Sequence, residues 1–305
     1  MEIHMDIYEF KSLVSDTSRR KKIILDTDTY NEVDDQFALA YAMLSPESVE
    51  LLGVTAAPFL NSRSISPADG MEKSYNEIFR IMELTQPGCR DKIPVFRGSG
   101  RFMESKTDPV DSDACDFIIK TVTSSDDPVV IVAVGAITNV ASAIAKCPEI
   151  AGKTGVVWLG GHALERPDTK EFNLKQDIPG AQTLFDSGIP LLQIPCDGVC
   201  SQFITTVPEL EFYLRGKNAL CDYLCDITAA YTRNPYGWSK VIWDVTSIGV
   251  FTVPGAFEEV VIPRPYLTRD CRWSFDAARA PYVYVRKIRR DPLYADLFRK
   301  LSEKQ

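Results

Sequence analysis

The chain has 305 residues, 45% of them hydrophobic and 25% charged, with a formal net charge of -8 and a pI near 5.0. That length holds one large α/β domain or two smaller ones and buries a sizeable core. The acidic balance excludes nucleic acid as the main partner, because phosphate binding needs a basic face.

The N-terminus, MEIHMDIYEF, carries acids where a secretion signal has a basic region, and it lacks an apolar run. Residues 1–20 read as an extension ahead of one domain spanning 21–305. The basic runs Arg19–Lys22 and Arg286–Arg290 read as solvated surface. The longest apolar stretch begins at Val129 and is broken by Gly135, Thr138 and Asn139, so no membrane span is predicted. With eight cysteines and no secretion signal, the expected compartment is the cytoplasm, with the thiols reduced. Cys196/Cys200 and Cys221/Cys225 have C-x3-C spacing, but zinc sites favour other spacings backed by more Cys or His, and the chain has two His. These cysteines read as small buried side chains.

In chain order, KKIIL predicts a strand and VDDQFALAYAML a helix. VELLGVTAA is a strand, and ADGMEKSYNEIFRIMEL and CDFIIKTV are helices. PVVIVAV is a strand, TNVASAIAK a helix, GVVWLGG a strand, GAQTLFDSG a helix and IPLLQIP a strand. Such alternation implies βαβ units, and the uninterrupted apolar runs fit strands covered on both faces. From about Pro208 helices dominate: ELEFYLRG, ALCDYLCDITAAYTR and WDVTSIGVF, with a turn-rich loop NPYGWSK between the last two. EEVVIP and YVYVRKI are late strands, and a helix closes the chain after Pro292. The predicted fold is α/β: one domain with an open, mostly parallel sheet flanked by helices and a helical C-terminal portion.

In such a sheet, ligands bind outside the C-terminal ends of the strands. Those ends carry DTDTYNEVDD, PFLN, GAITN and HALERPDTKEFN. The first packs Asp26, Asp28, Glu32, Asp34 and Asp35 into ten residues. So much like charge is costly unless a cation neutralises it. The oxygen-only donor set selects a hard cation, Ca2+ or Mg2+. An EF-hand is excluded, because its Gly and terminal Glu positions hold Asn31 and Phe37.

Four elements, in order, resemble the nucleoside hydrolase family of Ca2+-dependent N-ribohydrolases. They are Asp26-Thr27-Asp28 with Asp34-Asp35, Gly135–Asn139, Gly160-Gly161 followed by Glu171-Phe172-Asn173, and Trp243-Asp244. The resemblance runs from about Lys21 to Thr252 and implies a Rossmann-like fold. It further implies Ca2+ (or Mg2+) held by Asp28, Asp35, Asp244 and the Val134 carbonyl. Asp28 would deprotonate a Ca2+-bound water that attacks the anomeric carbon of a ribonucleoside. Asp34 and Asn173 would hold ribose hydroxyls, Glu171 would lie near the 5′ end, and Asn61 would reach the sugar. Asp26 would support these groups without binding the metal.

Many family members place a His before the late Asp as the acid that protonates the departing base. Trp243 stands there, as in the purine-preferring branch, and implies stacking on a purine. Phe59, Tyr236 and Trp238 are the candidates for the other side of the stack. The implied partner is a small nucleoside, with no nucleic acid or membrane, and the implied assembly a homodimer or homotetramer.

The chain also departs from the family pattern. Its usual Pro-Gly-x between the acids is replaced by Thr29–Val33, making the loop two residues longer. Glu32 within it reads as solvent-facing or as a further oxygen near the metal. Pro58–Asn61 replaces a Gly-Asn. Glu165 stands where an Asn contacts the 5′-hydroxyl. His162 follows Gly-Gly and reads as a surface residue or a cleft residue. Two other readings stay open. ILDTDTY nearly fits the first motif of haloacid-dehalogenase-like phosphohydrolases, with Tyr30 in place of Thr or Val. A non-catalytic, metal-stabilised ribose-binding relative is the other.

Overall fold

In the computed structural model, which describes residues 5–303, the run KKIILDT forms strand β1 (Lys21–Thr27). There follow β2 (Val49–Ala56), β3 (Val95–Phe96), β4 (Val129–Ala133), β5 (Thr154–Leu159) and β6 (Leu191–Ile194). Then come β7 (Ile204–Thr205), β8 (Lys240–Val241), β9 (Phe257–Pro263), β10 (Tyr266–Leu267), β11 (Trp273–Ser274) and β12 (Pro281–Ile288). Eight of them form the central sheet, in the order β3-β2-β1-β4-β5-β6-β12-β9. Every pairing in it is parallel except β12 with β9. This is the expected mostly parallel sheet in a single domain.

Alternation along β1 explains the two cores. Ile23 and Leu25 belong to one buried cluster and Ile24 to the other, on opposite faces of the sheet. The first cluster is covered by the helices Asp34–Met43, Pro67–Thr85, Ala219–Ala230, Val245–Thr252 and Arg290–Ser302. The second is covered by Asp113–Ser124, Thr138–Lys146 and Ile178–Asp186.

Two features differ from the sequence reading. Residues Ile7–Ser15 form a helix, opened by Asp6 and Glu9 in a reciprocal capping box. Its Phe10 and Val14 are buried in the first core. The late strand YVYVRKI, β12, enters between β6 and β9. The closing helix starts at Arg290, ahead of Pro292, which its first turn tolerates.

Strand order runs one way from β1 through β2 to β3, and the other way from β4 through β5 to β6. The crevice at that reversal lies at the ends of β1 and β4, where the Asp26–Asp35 loop and the GAITN turn emerge.

Candidate active site

The acidic loop is built rigidly. Asn31 N–H donates to the Asp28 carbonyl at 2.7 Å, turning the chain, and the helix begins at Asp34. Asp34 and Asp35 occupy its first turn, where the helix dipole favours carboxylates. The Arg63 guanidinium lies over the Tyr30 ring at 4.6 Å and donates to the Asn31 and Glu32 carbonyls. Glu32 is partly exposed and lines the same cavity as the acids. It pairs with Lys240, whose Nζ also lies 3.6 Å from Asp34 Oδ1.

Lys240 comes from β8 and was not singled out in the sequence. It is buried. Burial alone would lower its pKa, but the Asp34 and Glu32 carboxylates outweigh that and hold it above the ordinary lysine value.

A cavity of about 310 Å³ opens at the strand ends. Asp28, Asp34, Asp35, Asp244, Val134, Glu171, Asn173 and Trp243 line it, so the structure brings together eight of the residues picked from the sequence. Phe59 and Asn61 are not among them. Phe59 is fully buried and packs so closely on Gly70 that a Cβ there would meet its carbonyl oxygen at 2.1 Å. Asn61 hydrogen-bonds Asn31 at 2.6 Å and faces a neighbouring cavity lined also by Tyr30 and Arg63. Tyr236 is 93% exposed, and neither it nor Trp238 lines the acidic cavity. Phe172, the middle residue of the EFN segment, does line it, as do His162, Cys196 and Asp197.

Oxygens of Asp34, Asp35 and Asp244 lie within 4.8 Å of one another, a grouping able to hold a metal ion. Among the described residues it is the group of Asp, Glu, His or Cys placed to do so. Both oxygens of Asp28 and Oδ1 of Asp34 are buried with no hydrogen-bond partner in the protein. Burial pushes the pKa of Asp34 to about 7 and that of Asp35 to about 6. Asp28 and Asp244 rise well above the usual carboxylate value through burial and the neighbouring carboxylates. Asp244 sits at the start of the helix Val245–Thr252, but its side chain makes no capping hydrogen bond and is left to the cavity. Orphaned, buried, oxygen-only donors fit a hard divalent cation.

The remaining lining residues are held from behind. Gly135 has no side chain because a Cβ would crowd Ala57 at 2.9 Å and Asp28 at 3.2 Å. Asn173 donates to the Val134 carbonyl at 2.8 Å and to the Leu159 carbonyl at 3.3 Å. Glu171 caps the short helix Phe172–Gln176, accepting from Asn173 N, Leu174 N and Gly161 N. Gly161 adopts φ 76°, a left-handed turn that L side chains resist. Thr138 and Asn139 open the helix after GAITN and serve structure. Thr138 donates to Asp177 at 2.6 Å, and Asn139 donates to Asp26 at 2.8 Å. Seven of the eight cysteines are buried.

The family model described as inosine-uridine preferring nucleoside hydrolase matches residues 23–262. The chain belongs to that family. It is an enzyme of the N-ribohydrolase class. A probable uridine nucleosidase 2 from Arabidopsis thaliana is 26% identical over 233 residues, 70% of each chain. The pyrimidine-specific ribonucleoside hydrolase RihB of Escherichia coli is 29% identical over 197 residues, 58% of this chain and 60% of its own length. A solved purine-preferring ribonucleoside hydrolase from Gardnerella vaginalis superposes with a TM-score of 0.76 at 23% identity, covering 93% of this chain and 98% of its own. A plant nucleoside hydrolase structure gives 0.74 at 22% identity, covering 93% and 99%. These two likenesses establish a shared fold. Among the described residues no helix is long and apolar enough to cross a membrane.

Proposed function

We propose that this nucleoside hydrolase cleaves the N-glycosidic bond of a ribonucleoside, with a purine as the preferred leaving base and Ca2+ as the resident cation. The observation that carries this is Asp28: it is 1% exposed, lines the cavity, and both its oxygens lack a partner in the protein. Asp28, Asp35, Asp244 and the Val134 carbonyl would hold the cation. Asp34 lies close enough to share it. When bound, the cation lowers the pKa of water beside it.

The chain's own residues supply the rest. Asp28 takes the proton of the attacking water as the water oxygen bonds to the anomeric carbon. The C–N bond breaks, and its electron pair leaves with the base. Positive charge builds on the sugar, and the surrounding carboxylates favour it. Asp34 accepts from a ribose hydroxyl. Asn173 does so through its carbonyl oxygen, since its amide nitrogen is committed to two backbone carbonyls. Glu171, which caps that helix, would lie near the 5′ end. Asn61 and Phe59 take no part.

Trp243 supports the purine preference: it lines the cavity beside Asp244, where its indole face can stack on a purine. Phe172, not Phe59, is the aromatic residue that shares the cavity with it. The mostly buried cysteines suit the reducing cytoplasm.

The test is incubation with inosine, guanosine, adenosine, uridine and p-nitrophenyl phosphate, with and without EDTA. Ribose release, faster from the purine nucleosides and abolished by EDTA, is the expected result. Phosphate release without ribose release would replace this reading with a phosphohydrolase. Cation binding without any turnover would replace it with a ribose-binding role.

A further inference from the structure

His162 lines the cavity, yet the reaction just described gives it no task. It is the histidine among the described residues, and its placement is over-determined. Its backbone N–H donates to Thr169 Oγ1 at 2.8 Å, and its carbonyl accepts from Trp273 Nε1 at 3.4 Å. On the ring, Nδ1 accepts from the Asp197 backbone N–H at 3.4 Å. A ring nitrogen that accepts carries no proton, so the other nitrogen, Nε2, carries it. The imidazole is therefore a neutral donor. Burial, the largest influence, lowers its pKa below the ordinary histidine value. The facing charges are mixed: Asp197 and Asp168 against Arg166 and Lys175.

Stereochemistry decides which part of a substrate meets it. In a ribose, the 2′- and 3′-carbons separate the base-bearing C1′ from C4′ and its 5′ arm. A sugar whose 2′,3′-diol faces Asp34, Asp35 and Asp244 therefore sends its base and its 5′ arm toward different walls. Trp243, adjoining Asp244, marks the base wall. His162 enters the cavity from a different segment, the loop that follows β5, the neighbour of β6. The Gly161 N–H that precedes it binds Glu171, so His162 and Glu171 occupy one corner. Glu171 already accepts three backbone N–H groups there. Glu165, on the same loop, is exposed and does not line the cavity.

We propose that His162 holds the 5′ oxygen of the substrate sugar, donating through Nε2 as a neutral imidazole, and so selects for nucleosides that carry a 5′-oxygen. The proposal rests on the ribonucleoside reading and adds a specificity-determining residue to it.

The test separates binding from turnover. Wild type, His162→Ala and His162→Gln, each loaded with Ca2+, are titrated calorimetrically with a C-linked inosine analogue and with its 5′-deoxy form. Neither probe has a hydrolysable glycosidic bond. Wild type is expected to bind the 5′-hydroxylated probe roughly tenfold or more tightly. His162→Ala should erase that preference while leaving the 5′-deoxy probe unaffected. His162→Gln, which keeps an N–H donor, should retain part of it. Equal weakening of both probes in His162→Ala would assign His162 to the base or to structure and overturn the proposal. An unchanged preference in His162→Ala would overturn it as well. If wild type binds neither probe, the nucleoside reading falls and this proposal with it. If it binds and discriminates but releases no ribose from inosine, only the catalytic reading falls.

Discussion

Asp26 and Asp28 sit two residues apart at the end of one strand, and both are fully buried. Asp26 accepts from Thr55 Oγ1 at 2.6 Å and from Asn139 Nδ2 at 2.8 Å, two donors aimed at a single oxygen. Asp28 accepts from none. Side-chain alternation explains the split: neighbours at i and i+2 leave a strand on the same face, but β1 ends at Thr27, and the turn after it swings Asp28 into the cavity. One carboxylate ties β1 to β2 and to the helix after β4. The other is buried among carboxylates with nothing to satisfy it, which a fold tolerates at a place where something else binds.

The largest effect that would sharpen this contrast is on turnover. Asp28→Asn should cut ribose release by roughly 10³-fold or more, because the base is lost, while circular dichroism stays native. Melting temperature in EDTA should not fall, since the exchange removes a buried unpartnered charge. Full activity in that variant would break the contrast outright. Asp26→Ala should act on stability: it removes the carboxylate acceptor shared by the Thr55 hydroxyl and the Asn139 amide, at a cost on the order of 2 kcal/mol in urea denaturation. A neutral result there would mean that Asp26 is not the structural member of the pair.

The pH dependence follows from the same burial. Burial pushes Asp34 up to about 7 and Asp35 up to about 6 in the folded chain, against 3.8 as the ordinary value. A folded-state pKa above the unfolded one means the native state holds its protons longer. Stability of the EDTA-treated protein is then highest below about pH 4 for these groups, and falls as pH rises to about 7. Ca2+ should flatten that slope, which thermal melts across the range would measure. The smallest expected effect is at Lys240→Met. Removing the cation 3.6 Å from Asp34 should tighten Ca2+ binding by roughly threefold to tenfold, while lowering the melting temperature in EDTA.

Much of the site was legible because its parts are local. Asp28, Asp34 and Asp35 lie between a predicted strand and a predicted helix, and GAITN, EFN and Trp243-Asp244 each mark an element boundary. What was not legible depends on contacts between distant segments. Lys240 reaches Glu32 across 208 positions, and no periodicity in NPYGWSK announces it. The same distance effect hid the Arg63–Tyr30 stack and the entry of β12 between β6 and β9. Phe59 was misplaced because a strand-end aromatic reads alike whether it faces a cavity or, as here, the helix at Gly70. The N-terminal helix was legible and overlooked: Asp6 and Glu9 bracket a first turn, and Ile7, Phe10 and Val14 recur at helical spacing.

The central claim is that the unpartnered oxygens of Asp28 belong to a cation site. Calorimetric titration of Ca2+ into EDTA-stripped wild type and Asp28→Asn protein tests it most directly. One ion per chain in wild type, with affinity lowered by roughly 100-fold or more in Asp28→Asn, is the predicted result. No uptake by wild type, or uptake that Asp28→Asn leaves unchanged, would contradict it.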